Sequence, residues 1–363
     1  MMGWLAPLML ALTLMVSSCS PATEGQEGND AWVTLTISTG GEAAQAKASD
    51  AASRASGSAA DKDWQVNDLT IYIFDQTGQV IGSSYASYSI NSQQDITATV
   101  KTRKAQGCTV IALANAGTLS GTYATAQTTS PFAGVSTLSE FQQKYITFKD
   151  MASLESAPCL LMVGYLTGFD TTSSGSSISL QRLASRLDFT ITVNQDKVTG
   201  FPIVVDSYQL CHAPLSAYYA SADMSSTGIT LPSGTSFVEY AANSTAFNSW
   251  TSGSNSQSYT AYVYANPATT ATDATYLLIK AHSQASNTDT RKIWQSEFKV
   301  YLTGITGLAD YQLLPNYHYT IGITVQGSAT EHNGVKTVYT AYPYYSSSLS
   351  PWGSNENRDL DMK

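Results

Sequence analysis

The chain has 363 residues and a formal net charge of -9, with 12% charged residues, 22 tyrosines and 25 glycines. That length exceeds one ordinary hydrophobic core and points to two domains, while the acidic balance excludes recognition of nucleic acid or anionic lipid through a general positive field. Low charge with abundant Tyr, Thr, Ser and Gly favours pleated, half-buried strands over surface helices, and marks a folded chain.

The first segment, "MMGWLAPLMLALTLMVSSCS", holds an apolar run over residues 4–16. It is too short to span a bilayer in the usual way and has the length of a signal-peptide core. Val16-Ser17-Ser18-Cys19 resembles a bacterial lipobox, in which cleavage before the cysteine leaves Cys19 as a lipid-modified N-terminus. An ordinary signal peptide with a coincidental cysteine is the alternative, since the first residues carry no Lys or Arg. Acyl chains contribute about 0.8 kcal/mol per buried CH2, so an acylated Cys19 would tether the precursor to a membrane until something released it.

Next, "WVTLTIS" (32–38) alternates Trp32, Thr34 and Thr36 with Val33, Leu35 and Ile37, the period of a strand with one apolar face. "KASDAASRASGSAA" (47–60) follows as a run of small residues around Arg54. Of the basic residues Lys47, Arg54 and Lys62 between the first two strands, Arg54 lies deepest in residues that a protease could draw into an extended shape.

"VNDLTIYIFDQTGQVIGSSY" (66–85) reads as a hairpin, with Leu69, Ile71 and Ile73 on one face, Thr70, Tyr72 and Phe74 on the other, and "DQTG" as its turn. "DITATVK" and "CTVIALANAG" continue the strand pattern. "STLSEFQQKYITF" (136–148) is the one clear interruption, where Leu138, Phe141 and Tyr145 at spacings of three and four predict a short helix. Beyond it "ISLQRLASRLDFTITV" (178–193) reads as a polar-interrupted strand with Arg182 and Arg186 four residues apart. Strands separated by Gly, Ser, Asn and Pro clusters then run to "LLPNYHYTIGITVQG" (313–327), spacing that favours an all-β sandwich or barrel.

Chemistry-bearing residues are sparse. Cys108, Cys159 and Cys211 form no CxxC and sit in or beside apolar runs, as small buried hydrophobes do; one disulfide with a spare thiol is the alternative. His212, His282, His318 and His332 are scattered without zinc spacing, and no nucleophile elbow, Walker A or dinucleotide fingerprint occurs. No enzymatic activity, metal or cofactor is expected.

The lipobox, the "VNDLTIYIFDQTGQ" strand, "ISLQRLASRLDFTITV" and "LLPNYHYTIGITVQG", in this order, resemble the fimbrillin family of Bacteroidetes fimbriae, the type V pilins. The resemblance implies an all-β fold of two consecutive β-sandwich domains with Greek-key-like or transthyretin-like topology and a few short helices. It implies export as a lipoprotein to the outer membrane and polymerisation in a cell-surface fimbria that supports adhesion and biofilm formation. The expected divisions are a signal peptide (1–18), a lipidated pro-segment with a removable first strand (19–54), an N-terminal domain (55–197) and a C-terminal domain (198–363). In the family a trypsin-like surface protease cuts behind the first strand, and a neighbouring subunit fills the vacated groove with its own terminal strand. Carried onto this chain, lipidation falls on Cys19 and cleavage between Arg54 and Ala55. The removable strand holds Trp32, Val33, Leu35 and Ile37. The donor segment, 337–363, presents Val338, Thr340, Tyr342 and Tyr344 on one face, with the last strand of the second domain plus a polar tail as the plainer reading. The partners implied are further copies or other fimbrial subunits and the protease, with membrane contact only through the precursor lipid. The alternatives are a subunit retained by its lipid as an anchor, or a tip adhesin or surface lipoprotein binding glycan or protein through aromatics such as Tyr218, Tyr219, Trp250 or Trp294.

Overall fold

A computed structural model describes residues 29–39, 62–173, 175–196, 199–220, 229–250, 255–302, 310–328 and, as backbone, 335–343. The strand-rich composition resolves into β1 (Asp30–Ser38), β2 (Val66–Phe74), β3 (Val80–Ile90), β4 (Asp95–Arg103) and β5 (Cys108–Ala114), then helix α1 (Ala116–Thr122). Helix α2 (Leu138–Gln142), β6 (Tyr145–Thr147), helix α3 (Met151–Ser156), β7 (Met162–Phe169), β8 (Ser176–Ser179) and β9 (Gln181–Arg182) follow. Two sheets face each other here, one in the order β4-β1-β8 and one in the order β3-β2-β5-β7-β9. Between them lies a core that joins Val33, Leu35 and Ile37 of β1 to Leu69, Ile71 and Ile73 of β2. Strand β2 is buried on both sides, because Phe74 turns the other way into a second apolar cluster with Ile111 and Leu113. The hairpin turn depends on Gly78, whose φ of +79° suits a residue without Cβ. The Asp75 carboxylate accepts the N–H groups of Thr77 and Gln79 at 2.9 and 3.0 Å across that turn. Where β3 crosses near β4, a Cβ on Gly82 would lie 2.8 Å from the Lys101 carbonyl, so glycine permits the close approach.

The remaining strands are β10 (Ala184–Val193), β11 (Ile203–Cys211), β12 (Ala213–Pro214), β13 (Ser216–Tyr218), β14 (Phe237–Val238) and β15 (Phe247–Asn248). After them come β16 (Ser256–Tyr264), β17 (Tyr276–Gln284), β18 (Lys292–Tyr301), β19 (Tyr317–Val325) and β20 (Val335–Pro343). Sheets β16-β10-β19-β20 and β15-β11-β17-β18 make the second sandwich, and β12 pairs with β14 beside it. Alternation again selects the core: Leu187, Phe189, Ile191 and Val193 of β10 share it with Ile321, Ile323 and Val325 of β19 and Leu277, Ile279 and Ala281 of β17.

The segment between β5 and β7 covers the outer face of the five-stranded sheet. Phe132 and Phe141 stack with ring centroids 4.5 Å apart, and both pack on Tyr72. From there β6 pairs antiparallel with β13, Ser216 opposite Thr147, and so joins the first half of the chain to the second. The Tyr264 hydroxyl accepts the Leu161 N–H at 3.4 Å along the same junction.

Two-sandwich, all-β architecture with short helices is as expected. Local readings differ in three places. The helix expected within 136–148 spans only Leu138–Gln142, fixed by a capping box between Thr137 and Glu140. Tyr145, expected on that helix, lies in β6 and is 50% exposed, because residues 145–147 pair with β13 instead of continuing the helix. Helices α1 and α3 had no comparable periodicity to announce them. The stretch 178–193 is not one strand: β8, β9 and β10 contribute to three different sheets. Strand β10, which falls before the division expected after residue 197, pairs with β16 and β19 of the second sandwich.

Packing predicts that Phe141→Ala lowers stability by about 3–5 kcal/mol, as aromatic truncation in a filled core does. Tyr145→Ala, at a half-exposed ring, should cost well under half as much in the same denaturant titration.

Candidate functional site

The candidate site is β1 and the groove it occupies. Strand β1 runs antiparallel to β4 over its full length, with Val33 opposite Val100, Leu35 opposite Ala98 and Ile37 opposite Ile96. On its other side it runs parallel to β8 from Leu35 opposite Ser176 to Ser38 opposite Ser179. It is therefore an interior strand whose backbone is used on both sides over residues 35–38. Val33, Leu35 and Ile37 are wholly buried, whereas Trp32 is 69% exposed on the outer face. Burial of three such side chains stabilises the sandwich by roughly 5–9 kcal/mol gross. Both ends are tied: the Lys104 N–H donates to the Asn29 carbonyl at 2.7 Å, and Thr39 exchanges hydrogen bonds with Gln94. The Leu180 N–H donates to the Ser38 carbonyl at 2.8 Å.

The described chain resumes at Lys62, where it is gripped at once. The Lys62 ammonium donates to the Glu155 carbonyl at 2.8 Å and stands 5.1 Å from the centre of the Tyr262 ring. The Arg182 Nε donates to the Asp63 carbonyl at 2.7 Å, a second guanidinium nitrogen bonds the same oxygen, and the guanidinium lies 4.7 Å over the Trp64 ring. Arg186 reaches the Asp63 carboxylate at 3.4 Å and the Asp188 carboxylate at 3.0 Å. Asp188 also accepts from the Thr260 hydroxyl at 2.7 Å and lies 2.5 Å from His318. Burial disfavours the charged Asp188, but hydrogen bonds from His318, Thr260 and Arg186 outweigh it and hold the carboxyl at about 2. Arg182 and Arg186 stood out in the sequence for their spacing alone; their common target Asp63 lies more than a hundred residues upstream and no local pattern announces it.

Of the sequence-derived residues, Trp32, Val33, Leu35 and Ile37 come together on β1, with the three aliphatic ones in the core. Cys19, Arg54, Ala55 and Tyr344 lie outside the described residues. Val338, Thr340 and Tyr342 fall in β20, whose backbone pairs antiparallel with β19 from Tyr317 opposite Pro343 to Val325 opposite Val335. Strand β20 is thus the last strand of its own sheet, at the edge. Pro343, which has no N–H to donate, stands at the final position of the strand. Of the four named aromatics, Tyr219 is buried with its hydroxyl on Ser120, and Trp294 gives its N–H to Asp196 at 2.7 Å. Cys108, Cys159 and Cys211 are buried free thiols, with burial pushing Cys159 up to about 12. Among the described residues no three His, Cys, Asp or Glu side chains are placed to hold a metal, and no helix is long and apolar enough to cross a membrane.

Residues 32–180 match the family model of the major fimbrial subunit protein, FimA, a span that opens within β1 and closes between β8 and β9. The resemblance to the fimbrillin family holds. The matched family is structural, and it supports a pilin-like role for this chain. No curated protein matches the sequence. Among solved structures, a candidate cell adhesion protein from Parabacteroides distasonis superposes with a TM-score of 0.63 at 18% identity, covering 88% of this chain and 99% of that one. A fimbrilin (FimA) from Porphyromonas gingivalis W83 gives 0.55 at 12% identity over 86% of this chain and 98% of that one. The tip fimbrial protein Mfa3 from Porphyromonas gingivalis, with a C-terminal truncation, gives 0.52 at 13% identity over 86% and 100%. At these identities the likeness is one of fold.

Because the folded Asp188 carboxyl is depressed below its ordinary 3.8, the stability it contributes is present above that value and is lost as pH falls toward about 2. The wild-type protein should lose stability more steeply than Asp188→Asn between about pH 4 and pH 2, and the variant should be the less stable of the two at pH 7. Parallel acid-denaturation curves would contradict the assignment.

Proposed function

We propose that this chain is an exported fimbrial subunit whose first strand is removed before assembly. The observation that supports it best is the position of β1. A strand paired at both flanks, separated from the next described residue by the Arg54-containing segment 40–61, can be detached by one backbone cut that divides no other described strand. Lipidation at Cys19 would hold the precursor at the outer membrane, and cleavage of Arg54–Ala55 by a trypsin-like surface protease would separate the folded body from the lipid together with β1. The vacated groove would expose the edges of β4 and β8 and apolar side chains beneath them, a template that water solvates poorly and that an extended strand completes.

We assign the donor role to residues 337–363, which begin within β20. Strand β20 touches its sheet through one ladder only, with β19, so withdrawing it leaves the order β16-β10-β19 intact. An entering strand would place alternate side chains where Val33, Leu35 and Ile37 stood, and a slip of one residue would present the wrong face to the core. The product is a homopolymer, or a mixed polymer with other fimbrial subunits, at the cell surface, where it would support adhesion.

Processing predicts that protein recovered from surface fibres begins at Ala55, and that Arg54→Ala leaves it beginning at Cys19 with detergent-resistant oligomer ladders reduced at least about tenfold. Fibres built from wild-type chains that still begin at Cys19 would overturn the removal of β1 and favour the lipid-retained anchor. Deleting residues 337–363 should leave cleavage intact and abolish ladders; undiminished ladders would overturn the donor assignment.

A further inference from the structure

Three basic residues lie between β1 and β2, and a trypsin-like protease has no chemical reason to prefer one of the two lysines over the other. The fold supplies one. Such proteases take their substrate as an extended strand of several residues around the cut, with the basic side chain free to enter a pocket. At Lys62–Asp63 every one of those requirements is already committed elsewhere. The Lys62 ammonium is bonded to the Glu155 carbonyl beside the Tyr262 ring. Burial lowers its pKa in spite of the charges of Glu155 and Asp63 nearby. The Asp63 carbonyl, one peptide beyond the scissile bond, is held by Arg182, and Asp63 is 3% exposed. Trp64 lies beneath the same guanidinium, and Arg182 is itself anchored, with its N–H donating to Asn316 at 3.1 Å. Two residues later Val66 enters β2 opposite Ile90, so the downstream side cannot straighten without pulling on the central sheet.

We propose that this clamp on Lys62, Asp63 and Trp64 shields the Lys62–Asp63 bond, so that the fold confines trypsin-like processing to positions ahead of Lys62. The inference deepens the processing reading and takes its biological use from it, but the shielding itself needs only the clamp. A cut at Lys62–Asp63 would remove Lys62 with its bond to Glu155 and turn Asp63, the residue that Arg182 and Arg186 grip, into a chain end, whereas a cut at Arg54 leaves the clamp whole. The clamp therefore both limits the cut and secures the start of the remaining chain at the junction between β9 and β10.

The test is limited digestion of the full chain by a lysine-specific endoprotease, with N-terminal sequencing over time, native and unfolded in urea. The fragment beginning at Asp63 should form at least about tenfold more slowly from the native protein, since cleavage there needs local opening. A native rate within tenfold of the unfolded rate overturns the proposal. Trp64→Ala and Arg182→Met, each verified as folded by circular dichroism and thermal melting, should raise the native rate of that cut at least about fivefold. Folded variants that leave the rate unchanged would overturn the role of the clamp, and should either variant not fold, the wild-type comparison alone decides. Shielding at Lys62 together with fibres that retain Cys19 would leave the clamp standing while removing the processing it was thought to serve.

Discussion

The structure depends on the sharing of β1 between two ladders. Strand β4 pairs with β1 and not with β8, and β8 pairs with β1 and not with β4, so the three-stranded sheet exists only because β1 lies between the other two. Its three inward side chains complete a core whose other wall is β2 and β5. Edge strands can be lost from a sheet at the cost of one ladder; an interior strand cannot, and its absence leaves two unpaired edges above an apolar floor. A state lacking β1 is accordingly one that a complementary strand would stabilise strongly, and the affinity of such a strand has the same physical origin as the stability of the intact sandwich.

Opposite in character is the charged knot below it. Arg182 is 1% exposed, and burying a guanidinium is tolerated only where its donors and its face are occupied. Here the Asp63 carbonyl takes Nε and one terminal nitrogen, the Trp64 indole covers the face, and the next arginine along, Arg186, spreads its charge over Asp63 and Asp188. Chain from four parts of the sequence converges there: the entry to β2, the corner between β9 and β10, β16 through Thr260 and β19 through His318. Breaking such a knot from one side leaves a buried charge behind, which is strongly destabilising.

How much could be read beforehand follows from the range of each interaction. Strict alternation in residues 32–38 and 66–74 located β1 and β2 and the faces they bury, because period two is a local property. The two-layer architecture was legible for the same reason. The helix at 138–142 was half legible: Phe141 and the Thr137/Glu140 box are local signals, but Tyr145 belongs to a strand because of β13, whose partner residues lie about seventy positions later. The break of 178–193 into three strands was hidden, since Arg182 looks like a polar interruption until Asp63 and Trp64 are seen to bury it. The residues that define the candidate site divide likewise. Val33, Leu35 and Ile37 announce themselves, whereas the grip on residues 62–64 is made of contacts across more than ninety positions and has no signature in composition or spacing.

The short pairing of β6 with β13 has a mechanical meaning. It lies across the seam between the sandwiches, over a hydrophobic cluster that runs without interruption from Phe74 on one side to Val325 on the other. A bead-on-string arrangement would yield to bending at a flexible neck, whereas separating these sandwiches would break a strand pair and expose part of a shared apolar cluster. The two sandwiches are thus joined by a strand pair and a shared apolar cluster as well as by the chain that connects them.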